Sequence, residues 1–277
     1  VTDETSDPTR VDRSRAHPAR IYDYLLGGHD NYEVDHAAAR QVLDVWPQAR
    51  TAARVNRAFM RRATHWLAAE AGIDQFLDIG TGIPTEPNLH QVAQQVNPAA
   101  RVVYTDNDPL VLRYAEALMT STRHGRTAYL HADVTAPHSI LEAAELQSTL
   151  DLDRPVALSC NALFHFVPDR DAPHEIMQTL IKPLAPGSYL ALSHGTPDFD
   201  PVHIGRVQEI YHGQGIPLTT RDKGSIEDFF TGLELVAPGL VAPHRWQPEG
   251  AGASPDDDGT AVLDAEVSQY AAVARKP

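Results

Sequence analysis

Polar and apolar positions alternate along this chain with two different periods, and the change comes near residue 75. Before it, residues 35 to 46 and 50 to 71 carry apolar side chains at every third or fourth position. In the second stretch Val55, Phe59, Ala63 and Trp66 form one stripe while Arg54, Arg57, Arg61 and Arg62 occupy the rest, the spacing of an amphipathic helix. Gly72 is placed to end it. Further upstream, Ile21-Tyr-Asp-Tyr-Leu-Leu stops at Gly27-Gly28, which predicts a short helix and then a turn. From residue 75 onward short apolar runs alternate with helical stretches. Strands are predicted at 75 to 79, 102 to 106, 128 to 132, 155 to 160 and 188 to 193, with helices at 87 to 96, 109 to 122, 137 to 146 and 172 to 182. Pro87 and Pro109 are acceptable in first helical turns, where the N–H has no partner. Helices at 201 to 213 and 225 to 231 and strands at 233 to 237 and 269 to 274 follow, around a Pro, Gly and Asp loop at 247 to 260 that should be exposed. This alternation predicts an α/β fold: a doubly wound, mostly parallel seven-stranded sheet with an N-terminal helical lid. The lid, residues 1–50, is expected to belong to the same domain as residues 51–277.

Composition narrows the partners. The formal net charge of −14 repels a phosphate backbone, so neither nucleic acid nor an anionic membrane is expected to bind. A small-molecule partner is expected instead. No apolar run has the length of a membrane span, and Val1 to Arg20 is polar where a signal peptide is apolar. With one cysteine, Cys160, in an apolar stretch, a cytoplasmic location is expected. The first twenty residues, with Pro8, Pro18 and four arginines, read as a mobile arm.

The chemistry concentrates where strands end. The run Phe76-Leu-Asp-Ile leads into Gly80-Thr81-Gly82, a turn that lets a ligand approach the backbone without meeting a β-carbon. A dinucleotide fold calls for a third glycine, but that position is Thr85, and Pro84 and Pro87 remove two N–H donors. Asp78 suits a cationic ligand better than a diphosphate. The next strand ends in Asp106-Asn107-Asp108, where Asp106 is placed to grip a ribose diol and Asp108 to cap the following helix. The third ends in His131-Ala-Asp133-Val134, where the carboxylate can accept from an adenine amino group and the Val134 N–H can donate to a ring nitrogen.

Acids at the ends of three consecutive strands, together with Asp78-Ile-Gly-Thr-Gly82, resemble the class I S-adenosylmethionine-dependent methyltransferases over about residues 50 to 195. IYDYLLGGHDNY at 21 to 32, ARVNRAFMRRA at 53 to 63, FLDIGTGIPT at 76 to 85, YTDNDPLVL at 104 to 112, LFHFVPD at 163 to 169 and LAPGSYLALSH at 184 to 194 resemble, more narrowly, a bacterial S-adenosyl methyltransferase family first described as a domain of unknown function. The resemblance implies S-adenosylmethionine as cofactor, bound by Asp78, Gly80, Gly82, Asp106 and Asp133. The departure from the wider class is Pro84, where many members have a third glycine.

In an open α/β sheet the ligand sits beyond the strand ends at the reversal of strand order, so the fourth strand's Ser159-Cys-Asn161-Ala162-Leu-Phe-His165 should face the glycine loop. His165 is a candidate for acid–base work on the acceptor, with His194 as its rival. Arg57 and Asn56 are candidates for the methionine carboxylate. Tyr22, Tyr24, Gly27, Gly28, Asp30 and Asn31 could close over the cofactor, and residues 195 to 222 should face the acceptor. No metal-ligand spacing is present. A cofactor-binding module without turnover predicts a buried methyl with no acceptor cavity; an oxidoreductase on a related fold predicts a preference for NAD.

Overall fold

The computed structural model describes residues 11–118, 120–247 and 262–277. Residues 1–10 and nearly all of the predicted exposed loop at 247 to 260 lie outside these. Three helices come first: α1 Pro18–Leu26, α2 Glu33–Val45 and α3 Ala49–Ala69. Strands and helices then alternate as β1 Gln75–Ile79, α4 Leu89–Val96, β2 Arg101–Asp106, α5 Pro109–Leu118, β3 Arg126–His131, α6 Pro137–Leu141, α7 Ala144–Thr149, β4 Ala157–Asn161, α8 Pro173–Ile181 and β5 Tyr189–Gly195. After α9 Pro201–Gly213 and α10 Lys223–Glu227 come β6 Glu234–Leu235, α11 Asp264–Val267 and β7 Gln269–Arg275. The sheet order is β3-β2-β1-β4-β5-β7-β6. The first five strands are parallel, and β7 runs antiparallel to β5 and β6.

The alternating sides of each strand feed two cores. Leu77, Ile79, Val103, Leu158 and Cys160 pack with Met177 and Leu180 of α8. On the other face Phe76, Val102 and Tyr104 pack with Phe59, Ala63 and Leu67 of α3 and with Leu89 and Ala93 of α4. Because both faces are covered, β1 is buried along its whole length, including Gln75 and Asp78. A third cluster lies off the sheet, where Ile21, Leu25, Val42, Trp46 and Ala53 of the N-terminal helices meet Ile204, Val207 and Tyr211 of α9.

Several boundaries differ from the sequence expectation. Helix α4 starts after Pro87, because Asn88 caps it: the Asn88 N–H donates to Gln91 Oε1 at 2.6 Å. The stretch 109 to 122 stops being helical at Leu118, and Thr122 N–H donates instead to the Gln94 side chain at 2.9 Å. The predicted helix 137 to 146 is two helices with Ala143 extended between them. A continuous helix would point Ile140 and Leu146 about 120° apart, and the break lets both reach the same core. The helix predicted at 225 to 231 begins at Lys223 and tightens to a 3₁₀ turn over Asp228–Phe230. The arm is fixed where it is described: His17 N–H donates to Asp35 Oδ1 at 2.9 Å, and α1 begins one residue later.

Candidate functional site

The loops after β1, β2, β3 and β4 open into one cavity of about 710 Å³, at the reversal of strand order. Its floor is the turn after β1. Gly80 N–H and Thr81 N–H both donate to Thr105 O, at 2.8 and 3.2 Å, which folds the turn onto β2. Gly80 and Gly82 have φ of +73° and +68°, values that favour glycine. A β-carbon at Gly80 would meet the Leu163 side chain at 2.6 Å, whereas one at Gly82 would project into open space.

Asp106 ties this turn to the next loop, accepting from Gly82 N–H and from Asp108 N–H, both at 2.9 Å. Burial raises its pKa, and these two donors oppose the shift. Burial also lifts Asp78 to about 6, with the Ser159 hydroxyl and the Arg57 guanidinium pulling the other way. Burial pushes Asp133 upward too, but the Thr135 N–H and hydroxyl and the Asn107 amide outweigh it, leaving the carboxyl below its usual value. Val134 and Asn107 line the same end of the cavity. Asn161 at the end of β4 donates to Ser159 Oγ at 2.8 Å, while its Oδ1 is buried without a partner, as is Gln269 Oε1. Both residues line the cavity. A buried carboxylate, an orphaned amide oxygen and an open glycine turn together fit a ligand bearing a cation and several donors.

The remaining candidates divide. Arg57 lines the cavity and donates to Thr85 O and to Pro87 O. Asn56 is spent inside the protein, on the Tyr22 hydroxyl at 3.0 Å and on Ser193 Oγ at 2.5 Å. Tyr24 does not line the cavity: its ring lies 4.9 Å from His36 and under the Arg50 guanidinium. Its aromatic neighbour Tyr22 faces the cavity instead. Asp30 and Asn31 serve the turn after α1, binding the Asp23 carboxylate.

The histidines separate as well. His194 is fully buried and is not at the cavity. Its Nδ1 donates to Gly195 O at 2.8 Å and its Nε2 accepts from Arg221 at 2.9 Å, so both nitrogens are used. Burial and the neighbouring His165 hold it well below its ordinary pKa. This corrects the expectation that it competes for proton transfer, since no lone pair is left. His165 does line the cavity, but its Nδ1 accepts from Gly195 N–H at 3.2 Å. The neutral ring therefore carries its proton on Nε2. Burial and the Arg221 charge depress it to about 3, which keeps it neutral. In this arrangement its Nε2–H is open to donate and the ring has no free lone pair for abstraction, which corrects the expected base role as well.

Part of the site escaped sequence reasoning. Arg20 of α1 makes a buried two-pronged pair with Asp108, Nε to Oδ2 at 2.8 Å and Nη2 to Oδ1 at 3.1 Å. Asp108 also caps α5 by accepting from Leu110 N–H at 2.9 Å. The pair joins residues 88 positions apart, and no local pattern announces it. Trp46, Tyr211 and Leu218 also line the cavity; they lie in the lid and in the segment 195 to 222 expected to face the acceptor, but no pattern singled them out individually.

The strand order with β7 inserted antiparallel, and the acidic loops around one cavity at the switch point, define a Rossmann-like methyltransferase that uses S-adenosylmethionine. The chain belongs to the S-adenosyl methyltransferase family, whose profile matches residues 4–277. It is similar to a DUF574 family protein from Streptomyces avermitilis, 50% identical over 97% of this chain and 100% of that one, with a TM-score of 0.92. It is also similar to a candidate methyltransferase from Thermobifida fusca, 35% identical over 96% of each chain, with a TM-score of 0.85. No curated protein matches it. Among the described residues no helix is long and apolar enough to cross a membrane, and no cluster of side chains could hold a metal ion.

Proposed function

We propose that the chain transfers a methyl group to a small-molecule acceptor held between the strand-end loops and the N-terminal helices. The observation that carries this is the continuity of the cavity, which runs from Asp78, Asp106 and Asp133 to Trp46, Val207 and Leu218. Asp106 holds the ribose diol, while Asp133 and the Val134 N–H hold the adenine edge. Asp78 and the free Asn161 Oδ1 take the ammonium, and Arg57 lies at the end of the cavity suited to the carboxylate. When bound, S-adenosylmethionine would supply an electrophilic methyl carbon to the acceptor's lone pair, the carbon–sulfur electron pair remaining on sulfur and the acceptor's proton leaving to bulk water with the product. The protein's own part is alignment and exclusion of solvent.

The N-terminal helices act as the lid, fastened by Arg20 to the loop that carries Asp106. A sensor without turnover has no use for a chamber beside the cofactor loops, so the cavity favours transfer. Calorimetric titration of S-adenosylmethionine and S-adenosylhomocysteine, with NAD as control, into wild type and Asp106→Ala tests the reading. Tight binding of both sulfur nucleosides that the substitution weakens is expected; no binding to folded protein would overturn it.

A further inference from the structure

The end of the cavity away from the cofactor loops is walled by apolar side chains, Leu25, Val42, Trp46, Val207, Ile216 and Leu218. An aromatic row completes it: the His165 ring is 4.4 Å from Phe166, which is 5.8 Å from Tyr211. The charged lining residues are paired, exposed or at the other end. Arg20 is spent on Asp108, and Asp12 and Asp171 are exposed. Arg15, itself exposed, reaches the chamber only at its rim beside Gly215, while Arg57 of α3 and the three strand-end acids border the cofactor loops. A charged ligand seated against the apolar wall would therefore lose its hydration with no buried, unpaired counter-charge beside it. Two polar atoms on the aromatic row have no protein partner among the described residues, the His165 Nε2–H and the Tyr211 hydroxyl. Burial alone raises the Tyr211 phenol above its ordinary pKa, as fits a group with no internal partner.

We infer that the acceptor is a small, uncharged aromatic molecule bearing a hydroxyl, its ring in this chamber and its oxygen set by His165 Nε2–H and Tyr211 Oη. The word acceptor rests on the function proposed above, whereas the chamber's preference rests on its own walls. A single flat, neutral ring matches the aromatic row and the aliphatic wall. One hydroxyl answers the two open polar groups, accepting from the imidazole and pairing with the phenol.

The test uses 2-naphthol as probe and 2-naphthoate as its charged counterpart, titrated calorimetrically into the full chain with and without saturating S-adenosylhomocysteine. Binding of 2-naphthol in preference to 2-naphthoate is expected. Tyr211→Phe and His165→Phe should each weaken it about fivefold, the worth of one neutral hydrogen bond. Val207→Trp should abolish it by filling the chamber; if that variant fails to fold, Tyr211→Phe still decides. Equal or tighter binding of the naphthoate, or 2-naphthol binding unchanged in Tyr211→Phe and Val207→Trp, would overturn the inference. Naphthol binding without any S-adenosylhomocysteine binding would keep the chamber's preference and sink the cofactor reading. The reverse pattern would keep the cofactor reading and sink this one.

Discussion

The two ends of the cavity are built in different ways. The cofactor end is made of strand termini and tight turns, each a run of a few residues whose partners are near neighbours in the sheet register: Asp78 faces Tyr104 across β1 and β2, and Asp106 faces His131 across β2 and β3. The other end is made of helices α1, α2, α3 and α9, whose contacting side chains lie far apart in sequence. The first kind of site can be written as a motif. The second depends on tertiary packing, and its residues look in sequence like any core residues.

The sharpest way to break this division is to cut the link between the ends. Arg20→Ala strands the buried Asp108 carboxylate and should cost about 3–5 kcal/mol, measured by urea unfolding. A much smaller loss would mean that the N-terminal helices and the cofactor loops are energetically separate. Within the cofactor end, Asp106→Ala removes the acceptor of two backbone N–H groups as well as the proposed ribose ligand. It should weaken S-adenosylhomocysteine about a hundredfold, read by calorimetry, with unfolding curves showing whether the turn itself has loosened.

His194→Leu separates structure from chemistry. It deprives Arg221 and Gly195 O of their partner and should lower stability by about 1–3 kcal/mol while leaving cofactor affinity within about twofold of wild type. A large loss of affinity with unchanged stability would return His194 to the site. The smallest effect concerns pH. With Asp78 raised to about 6, the carboxylate proposed to meet a cationic group is present above that value and is lost as pH falls through it. S-adenosylmethionine affinity should fall by up to about tenfold from pH 7 to pH 5, and Asp78→Asn should flatten that slope.

How much of this was legible follows the same line. Strand positions, the parallel sheet and the acids at its strand ends were readable because a buried parallel strand is a short apolar run, and a turn that needs positive φ declares itself by glycine. Asn161 and Val134 were found because strand ends in such a sheet face the crevice. Tyr24 was misplaced because a short helix has no local cue for which of two tyrosines turns inward; Tyr22 does so because its hydroxyl donates to Ala53 O on α3 at 2.9 Å. The break at Ala143 was invisible because Ile140 and Leu146 each look compatible with a helix. The roles given to the histidines failed for a simpler reason: residue type carries an ordinary pKa, but the partners of each nitrogen are fixed only by the folded backbone.

The peptide group of Gly195 has a consequence for what the protein can select. Its carbonyl is held by His194 and its N–H holds His165, and Arg221 anchors the chain of bonds to the Asp169 carboxylate at 2.6 Å. A ring locked as a donor by its own scaffold does not set the tempo of proton loss. Under the proposed transfer reaction, the ease with which the bound molecule sheds its own hydrogen sets that tempo. Among hydroxyl acceptors that fit the chamber equally well, the more acidic one should then be methylated faster, so that this reaction would sort its substrates by acidity as well as by shape.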